Sequence, residues 1–205
     1  MSGIIAQNTL DNSGLIKAPA GGGAWNFISK QTASASADIS FTSGIDSTYK
    51  EYVFTLNNIH PSDNSGGGDE NVTFQGNAAG GSGYNETITS TVFAAYHNEA
   101  DDNEGLGYEG GQDQAEGTAF QSLGYDYSYD ADHAGCGYLH LFNPSSTTFV
   151  KHFLARISYT HHADNAMDFY VAGYFNTTSA IDEIQFKMTS GNIDAGDICL
   201  YGISS

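Results

Sequence analysis

The closing part of the chain shows the clearest alternation of apolar and polar positions. Ile184, Phe186 and Met188 alternate with polar residues, the period of two that is typical of a strand with one buried face. In residues 198–203 both sets of alternate positions are apolar, which predicts a strand covered on both sides. We therefore expect these two strands to complete the core of the domain.

Short runs with the same period of two recur along the chain, separated by turn residues. In one of them, Tyr52, Phe54 and Leu56 share a face, and no segment shows a convincing helical period. About ten short strands predict an all-β fold, for which an antiparallel, jelly-roll-like β-sandwich is the favoured architecture. The predicted strands cover residues 25–30, 37–42, 49–57, 72–75, 88–96, 118–123, 137–142, 149–160, 167–175, 181–188 and 198–203.

Composition supports the all-β prediction, because the chain holds 13 Tyr, 12 Phe and 25 Gly but only 3 Pro. Its 205 residues suffice for one sandwich domain, which we place at residues 25–205. Residues 1–24 do not resemble core and end in a glycine-rich joint, so we predict a short extended N-terminal arm that docks onto an assembly. A frayed terminus is the alternative. The apolar residues that could anchor this arm are Ile4, Ile5, Leu15 and Ile16.

The charge of the chain excludes some partners. Its 24 acidic and 6 basic residues give a formal net charge of -18, and no Lys or Arg lies between Lys50 and Lys151. A nucleic-acid partner needs a basic surface, so we expect none. No apolar run reaches the roughly 20 residues of a membrane span, and the start lacks a basic, apolar signal region, so we expect neither membrane insertion nor a signal peptide. Without secretion, Cys136 and Cys199 are expected as buried thiols rather than a disulfide.

Patterns that would indicate catalysis are weak, and we expect no enzyme. The chain has no Gly-x-Ser-x-Gly motif, and neither cysteine lies in a motif that activates thiolates. With 24 acidic residues, carboxylate pairs suitable for a glycosidase arise by number alone.

Metal ligation is more open. His161, His162 and Asp164 lie close together, and Asp132 precedes His133, but a polar surface turn is the reading we favour for these groups. The acidic run in the loop of residues 97–117 could offer oxygen ligands to Ca²⁺, although the fixed spacing of an EF-hand is absent. We predict no cofactor and no metal, with a bound Ca²⁺ as the alternative.

A group of tyrosines is a candidate for ligand binding. Tyr125, Tyr127 and Tyr129 alternate with polar residues, among them Asp126 and Asp130. An extended backbone would place the three rings on one face, and tyrosine faces flanked by carboxylates suit the stacking and hydroxyl recognition of sugars. The same pattern suits a sandwich core or a subunit interface, and both interpretations stay open here.

Motifs at both ends of the domain form a recognisable pattern. They are Trp-Asn-Phe-Ile-Ser-Lys at residues 25–30, Ser-Gly-Ile-Asp-Ser-Thr-Tyr at 43–49, Tyr-Val-Phe at 52–54, Asn-Ile-His-Pro at 58–61 and Phe-Lys-Met-Thr-Ser-Gly-Asn-Ile-Asp-Ala-Gly-Asp-Ile-Cys-Leu-Tyr-Gly-Ile at 186–203. Together they resemble small virion structural proteins of tailed bacteriophages, especially marine and cyanobacterial ones, which are often called tail-fibre-like. The motifs are structural, so the resemblance implies no catalytic residue.

The resemblance implies a non-enzymatic virion structural protein, as a tail fibre, tail or capsid-decorating component that is made in the host cytoplasm. Its expected partners are other virion proteins and further copies of itself. We predict a homotrimer, because the aromatic residues exceed what one small core must bury. The alternative is a receptor-binding module that recognises host surface glycans through the acidic, Tyr-rich loops of residues 62–136.

Overall fold

A computed structural model describes residues 24–62 and 70–204. Apart from Ala24, the predicted arm with its anchors Ile4, Ile5, Leu15 and Ile16 lies outside these ranges and stays a prediction. The described residues contain twelve strands: β1 (Trp25–Ser36), β2 (Ile39–Phe41), β3 (Glu51–Pro61), β4 (Val72–Ala78), β5 (Ile88–Asn98), β6 (Glu104–Tyr108), β7 (Gln121–Ser122), β8 (Gly135–Phe142), β9 (Lys151–His161), β10 (Asn165–Phe175), β11 (Ile181–Met188) and β12 (Ile193–Ile203).

The strands form two antiparallel sheets that pack face to face. The large sheet has eight strands in the order β1-β12-β3-β8-β9-β10-β5-β6, and the small sheet has four in the order β2-β11-β4-β7. This architecture confirms the predicted all-β sandwich, and the strand order is consistent with a jelly-roll-like path. No helix in the described ranges is long and apolar enough to cross a membrane.

The core lies between the inner faces of the two sheets and is rich in phenylalanine. The ring of Phe74 in β4 lies 5.0 Å from that of Phe153 in β9, and Phe186 in β11 lies 5.4 Å from Phe54 in β3, both as edge contacts. All four side chains are buried. Such perpendicular contacts add to the free energy of apolar burial and hold the sheets together.

The outer face of the small sheet is polar and is covered by loops. Gln75 in β4 has no exposed surface, and its Nε2 donates hydrogen bonds to the carbonyl oxygens of Glu86, Thr118 and Ala119 at 3.0, 3.3 and 2.9 Å. These acceptors belong to the connections that follow β4 and β6. The amide of one side chain therefore fastens two loops onto this face.

One expectation, about the segment that follows β5, is wrong. Residues 97–117, predicted as one long loop, contain β6, whose Tyr108 pairs with Phe93 of β5. Glycines alternate with Leu106 and Tyr108 in β6, so the short strand looks like a turn in the sequence.

The sequence predicts that the closing strand, β12, is covered on both sides, whereas the structure covers only its inner side fully. Its inner residues Ile198 and Leu200 are fully buried, but Tyr201 and Ile203 on the outer side are half-buried. Both cysteines are free: Cys199 is buried as predicted, whereas Cys136 is exposed. The partial exposure of β12 and the exposure of Cys136 have the same cause: no further layer of the described residues covers the outer side of the large sheet.

Candidate functional site

Exposed apolar side chains concentrate on the outer face of the large sheet, which we call the aromatic face. Among the residues that the structure describes, eight large hydrophobic side chains are exposed, and seven of them lie in strands of the large sheet. The eighth, Phe149, precedes β9. An apolar surface concentrated on one side marks a place of contact with another molecule. The seven are Trp25, Phe27, Phe93, Leu106, Tyr108, Tyr138 and Leu154.

Strand pairing arranges the side chains of the aromatic face in rows that cross the strands. One row runs through Tyr138, Arg156, Tyr170 and Phe93, on four adjacent strands from β8 to β5. The rings of Phe93 and Tyr170 are stacked with centroids 4.6 Å apart. Neighbouring strands therefore present large planar groups side by side, which is the pattern of a contact surface rather than of a solvated one.

An ion pair lies at the centre of this row. Arg156 donates from Nε and Nη2 to the two carboxylate oxygens of Asp168, at 2.9 and 2.7 Å, and the Tyr170 hydroxyl donates to Asp168 at 3.0 Å. The guanidinium also lies 4.9 Å from the centre of the Tyr170 ring. The hydrogen bond from Arg156 lowers the pKa of Asp168 and, in turn, raises the pKa of Arg156. Both groups are held charged and in a fixed orientation.

Other carboxylates among these rings also have basic partners. Asp197 lies 3.2 Å from the ammonium of Lys30, and Glu51 is hydrogen-bonded to the imidazole of His140. Asp168, Asp197 and Glu51 therefore each have a hydrogen-bonded partner within the face, although the whole chain carries -18. An apolar partner can therefore approach this face without meeting these carboxylates unpaired.

Two shallow depressions in the aromatic face lie where small residues point outward. The Ala172 depression has Ala172 and Thr91 at its base and is bordered by Leu154, His152 and Tyr174. The Ala95 depression has small residues, among them Ala95, Cys136 and Ser158, at its base and is bordered by Tyr138 and Arg156. The face thus offers recesses as well as protruding rings.

The tyrosines predicted to bind glycans lie elsewhere and do not form one exposed face. Tyr127 is 1% exposed, its ring stacks on Tyr159 with centroids 4.0 Å apart, and its hydroxyl donates to the Leu123 carbonyl at 3.2 Å. Burial raises the pKa of Tyr127 well above its ordinary value. Tyr127 therefore belongs to the core, the alternative that the sequence left open, and is a correction to the glycan prediction.

The backbone explains why the alternation fails. Asp126 has a φ of 51°, in the left-handed region, so the chain turns between Tyr125 and Tyr127 instead of running extended. Tyr125 is half-buried against the core, Tyr129 is half-buried and Asp130 is exposed. A glycan role for the four residues other than Tyr127 stays a prediction, without the shared face that motivated it.

One group of side chains that could hold a metal ion combines Asp126, His161 and His162. His161 Nδ1 accepts a hydrogen bond from the Ala163 backbone at 3.0 Å, so the neutral ring carries its proton on Nε2, which lies 3.5 Å from the Asp126 carboxylate. Ligation through Nε2 would move that proton to Nδ1, against the Ala163 amide. The geometry therefore favours a weak His161–Asp126 hydrogen bond over a bound ion.

A second such group combines Asp130, His133 and Asp164. His133 Nδ1 lies 2.8 Å from the Ser128 hydroxyl, and Asp130 and Asp164 are exposed to solvent. Both groups form because the segment after Gly124 packs against the turn between β9 and β10, through hydrogen bonds such as that from His162 N to Asp126 O at 2.9 Å. Residues 101–104, where the sequence left bound Ca²⁺ as an alternative, form neither of these groups.

Sequence reasoning missed the aromatic face. Part of the signal was present, because residues 198–203 of β12 are apolar at both sets of alternate positions, and β9 carries Leu154 on the side opposite Phe153. We interpreted the closing strand as covered on both sides, whereas no layer of the described residues covers its outer side.

Comparison with protein-family models, with curated proteins and with solved structures gives no match in any of the three. The resemblance to virion structural proteins therefore stays a prediction that depends on the motifs of residues 25–61 and 181–203. In the fold these motifs fall mainly on β1, β3, β11 and β12. They are parts of the scaffold.

Proposed function

We propose that the protein is a non-enzymatic structural component of a virion and that it assembles through the aromatic face. The observation that carries this proposal is the distribution of exposed apolar side chains, seven of the eight in the described residues lying in strands of one sheet. Aromatic residues and Arg are enriched at the centres of protein interfaces, whereas unpaired Lys, Glu and Asp are depleted there. The aromatic face has this composition.

A role in assembly also agrees with the chemistry of the surface. The charged groups among the rings are paired with one another, as Arg156 with Asp168 and Lys30 with Asp197. A surface of this kind supplies area and shape to a partner, and its charges are already satisfied before contact. The resemblance described above supports a virion as the setting, with other virion proteins and further copies of the chain as partners.

The test is incorporation of the chain into particles. Wild-type protein and two variants, Leu154→Ser on the aromatic face and Phe149→Ser outside it, would be expressed in cells that produce the particles, and purified particles would be probed with an antibody to the chain. We expect wild type and Phe149→Ser in the particles and a loss of about tenfold for Leu154→Ser.

Both substitutions replace an exposed apolar side chain, at 48% and 69% exposure, so neither is expected to disturb folding. A chain that is absent from purified particles would contradict the proposed function. Equal incorporation of the two variants would contradict the role of the aromatic face.

A further inference from the structure

The aromatic face carries exposed rings at one edge and a recess further across the sheet. Phe27 on β1 is 62% exposed, with its ring 5.7 Å from that of Tyr201. The Trp25 ring is 48% exposed and lies over the sheet, 5.5 Å from Tyr201 and 6.4 Å from His140. The Ala172 depression lies five strands away from β1, on β9, β10 and β5.

Strand pairing places Phe27 and the recess at the same height along the strands. Phe27 pairs with Tyr201, and successive pairings lead across the sheet to Leu154, Ala172 and Thr91; the intervening partners are Val53 and His140. Trp25 lies in the adjacent row, whose partners include Ile203, Glu51 and Phe142. Phe27 and the base of the recess therefore share one row of the sheet.

We propose that Phe27 of one copy inserts into the Ala172 depression of a second copy, in a two-fold pair of aromatic faces that also covers Trp25. This inference rests on the proposed function, since it names the partner of the same face. A two-fold axis parallel to the strands, between β3 and β8, carries β1 over β10 and keeps every row at its own height. The insertion then occurs twice, once in each direction.

Two-fold symmetry suits the surface better than the trimer predicted from the sequence. A pair needs one patch that complements itself, whereas a closed trimer needs two different patches on each chain. In the described residues, exposed large apolar side chains outside the large sheet are limited to Phe149. The surface offers one patch.

The charges along these rows permit a second copy as the occupant despite the net charge of -18. The rows of Trp25 and Phe27 contain one carboxylate, that of Glu51, and it is hydrogen-bonded to His140. Two copies can therefore meet along these rows without opposing unpaired carboxylates, which are common on the rest of the chain.

The available area is sufficient for a stable pair. Six overlapping strands spaced by about 4.8 Å, over about eight residues of about 3.4 Å each, cover roughly 800 Å². A standard protein interface buries about 800 Å² on each partner. Two sheets that stack in this way lie about 10 Å apart, as in the sandwich itself.

The experiment uses the full chain and its single tryptophan, Trp25, as the reporter. Sedimentation would give the mass over a range of protein concentration, and fluorescence would give the emission of Trp25 in the same samples. We expect the mass to double and the emission to move to shorter wavelength over the same concentrations, because the second copy covers the exposed part of Trp25.

Two matched variants locate the contact. Ala172→Tyr fills the recess that receives Phe27, and we expect it to weaken the pair by about 30-fold in Kd. Ala95→Tyr places the same side chain on β5, which lies beyond the overlapping strands, and in the row of Asp168 rather than that of Ala172, so we expect a change within about twofold. Both alanines are half-buried, and circular dichroism with urea unfolding would verify that each variant folds.

A mass that stays at one chain, a mass of three chains, or a doubled mass without a change in Trp25 emission would each overturn the pair. A single chain whose Trp25 emission responds to host polysaccharide would overturn it in favour of the glycan alternative. If the chain stays single while Leu154→Ser still prevents incorporation into particles, the pair is wrong and the proposed function stands. If incorporation is also unaffected, the pair and the role of the aromatic face are both wrong, and a chain absent from the particles would contradict the proposed function itself.

Discussion

The outer face of the small sheet is polar and covered, whereas the outer face of the large sheet is apolar and open. Loops cover the first, where the two N–H groups of the Gln75 side chain are shared among three of their carbonyl oxygens. A loop laid over the second would bring backbone carbonyls against side chains such as Phe93 and Leu154, which supply no hydrogen-bond donor. Another apolar sheet face can cover rings without that cost, so an aromatic face is suited to a partner rather than to a loop.

Among substitutions that test the two faces, Gln75→Leu should cause the largest loss of stability. The substitution leaves three loop carbonyls without their side-chain donor on a covered face, and we expect the free energy of unfolding to fall by about 3 kcal/mol. Urea unfolding would measure it. Gln185→Leu is the matched control, because Gln185 pairs with Gln75 in the sheet and donates one bond, to Ser40 at 2.9 Å. A loss equal to that of the control would show that Gln75 does not fasten the loops.

A loss of stability of intermediate size is expected at alkaline pH, because the side chain of Tyr127 is buried. Burial raises the pKa of Tyr127 well above 10, the value of an exposed tyrosine. Above pH 10 the unfolded chain loses this proton while the folded chain keeps it, so stability is fully present below pH 10 and falls above it. At pH 11 the loss is about 1.4 kcal/mol for one such group.

The variant Tyr127→Phe removes that share of the pH dependence. Urea unfolding at pH 9 and at pH 11 should therefore show a smaller difference for Tyr127→Phe than for wild type, whatever the constant effect of the lost bond to Leu123. An unchanged difference between the two pH values would show that the Tyr127 hydroxyl reaches water in the folded chain.

The smallest effect is expected from Leu154→Ser on the open face. Leu154 is 48% exposed and points away from the core, so the free energy of unfolding of the single chain should change by less than about 0.5 kcal/mol. Urea unfolding at a protein concentration below that of association would measure it. A loss above about 1 kcal/mol would mean that the single chain already covers this face, and the comparison between the two faces would fail.

Local alternation predicted much of the fold. In β9, buried and exposed side chains alternate as the sequence indicated, with Phe153 and Ile157 inside and Leu154 and Arg156 outside. The number of strands was close, because most strands are bounded by turn residues. Strand β6 was not predicted, because its glycines interrupt the alternation of apolar and polar positions.

The candidate site could not be predicted in the same way. Phe27 and Ala172 share a row of the large sheet only because β12, β3, β8 and β9 lie between their strands, and this order depends on contacts between residues far apart in the chain. The tyrosine pattern failed for a local reason, since Asp126 adopts a left-handed φ that alternation does not reveal. Sequence periods identify the faces of a strand, but they do not identify what lies opposite each face.

The position of β12 has a consequence for the order of events during folding. β12 is the last of the described strands, yet it lies between β1 and β3, and the contact of Asn26 with Ser204 joins residues 178 positions apart. Until β12 inserts, β1 has no neighbour to hold Trp25 and Phe27 in place. Pairing over such a separation is slow, so we expect the edge of the large sheet that carries Trp25 and Phe27 to form late in folding.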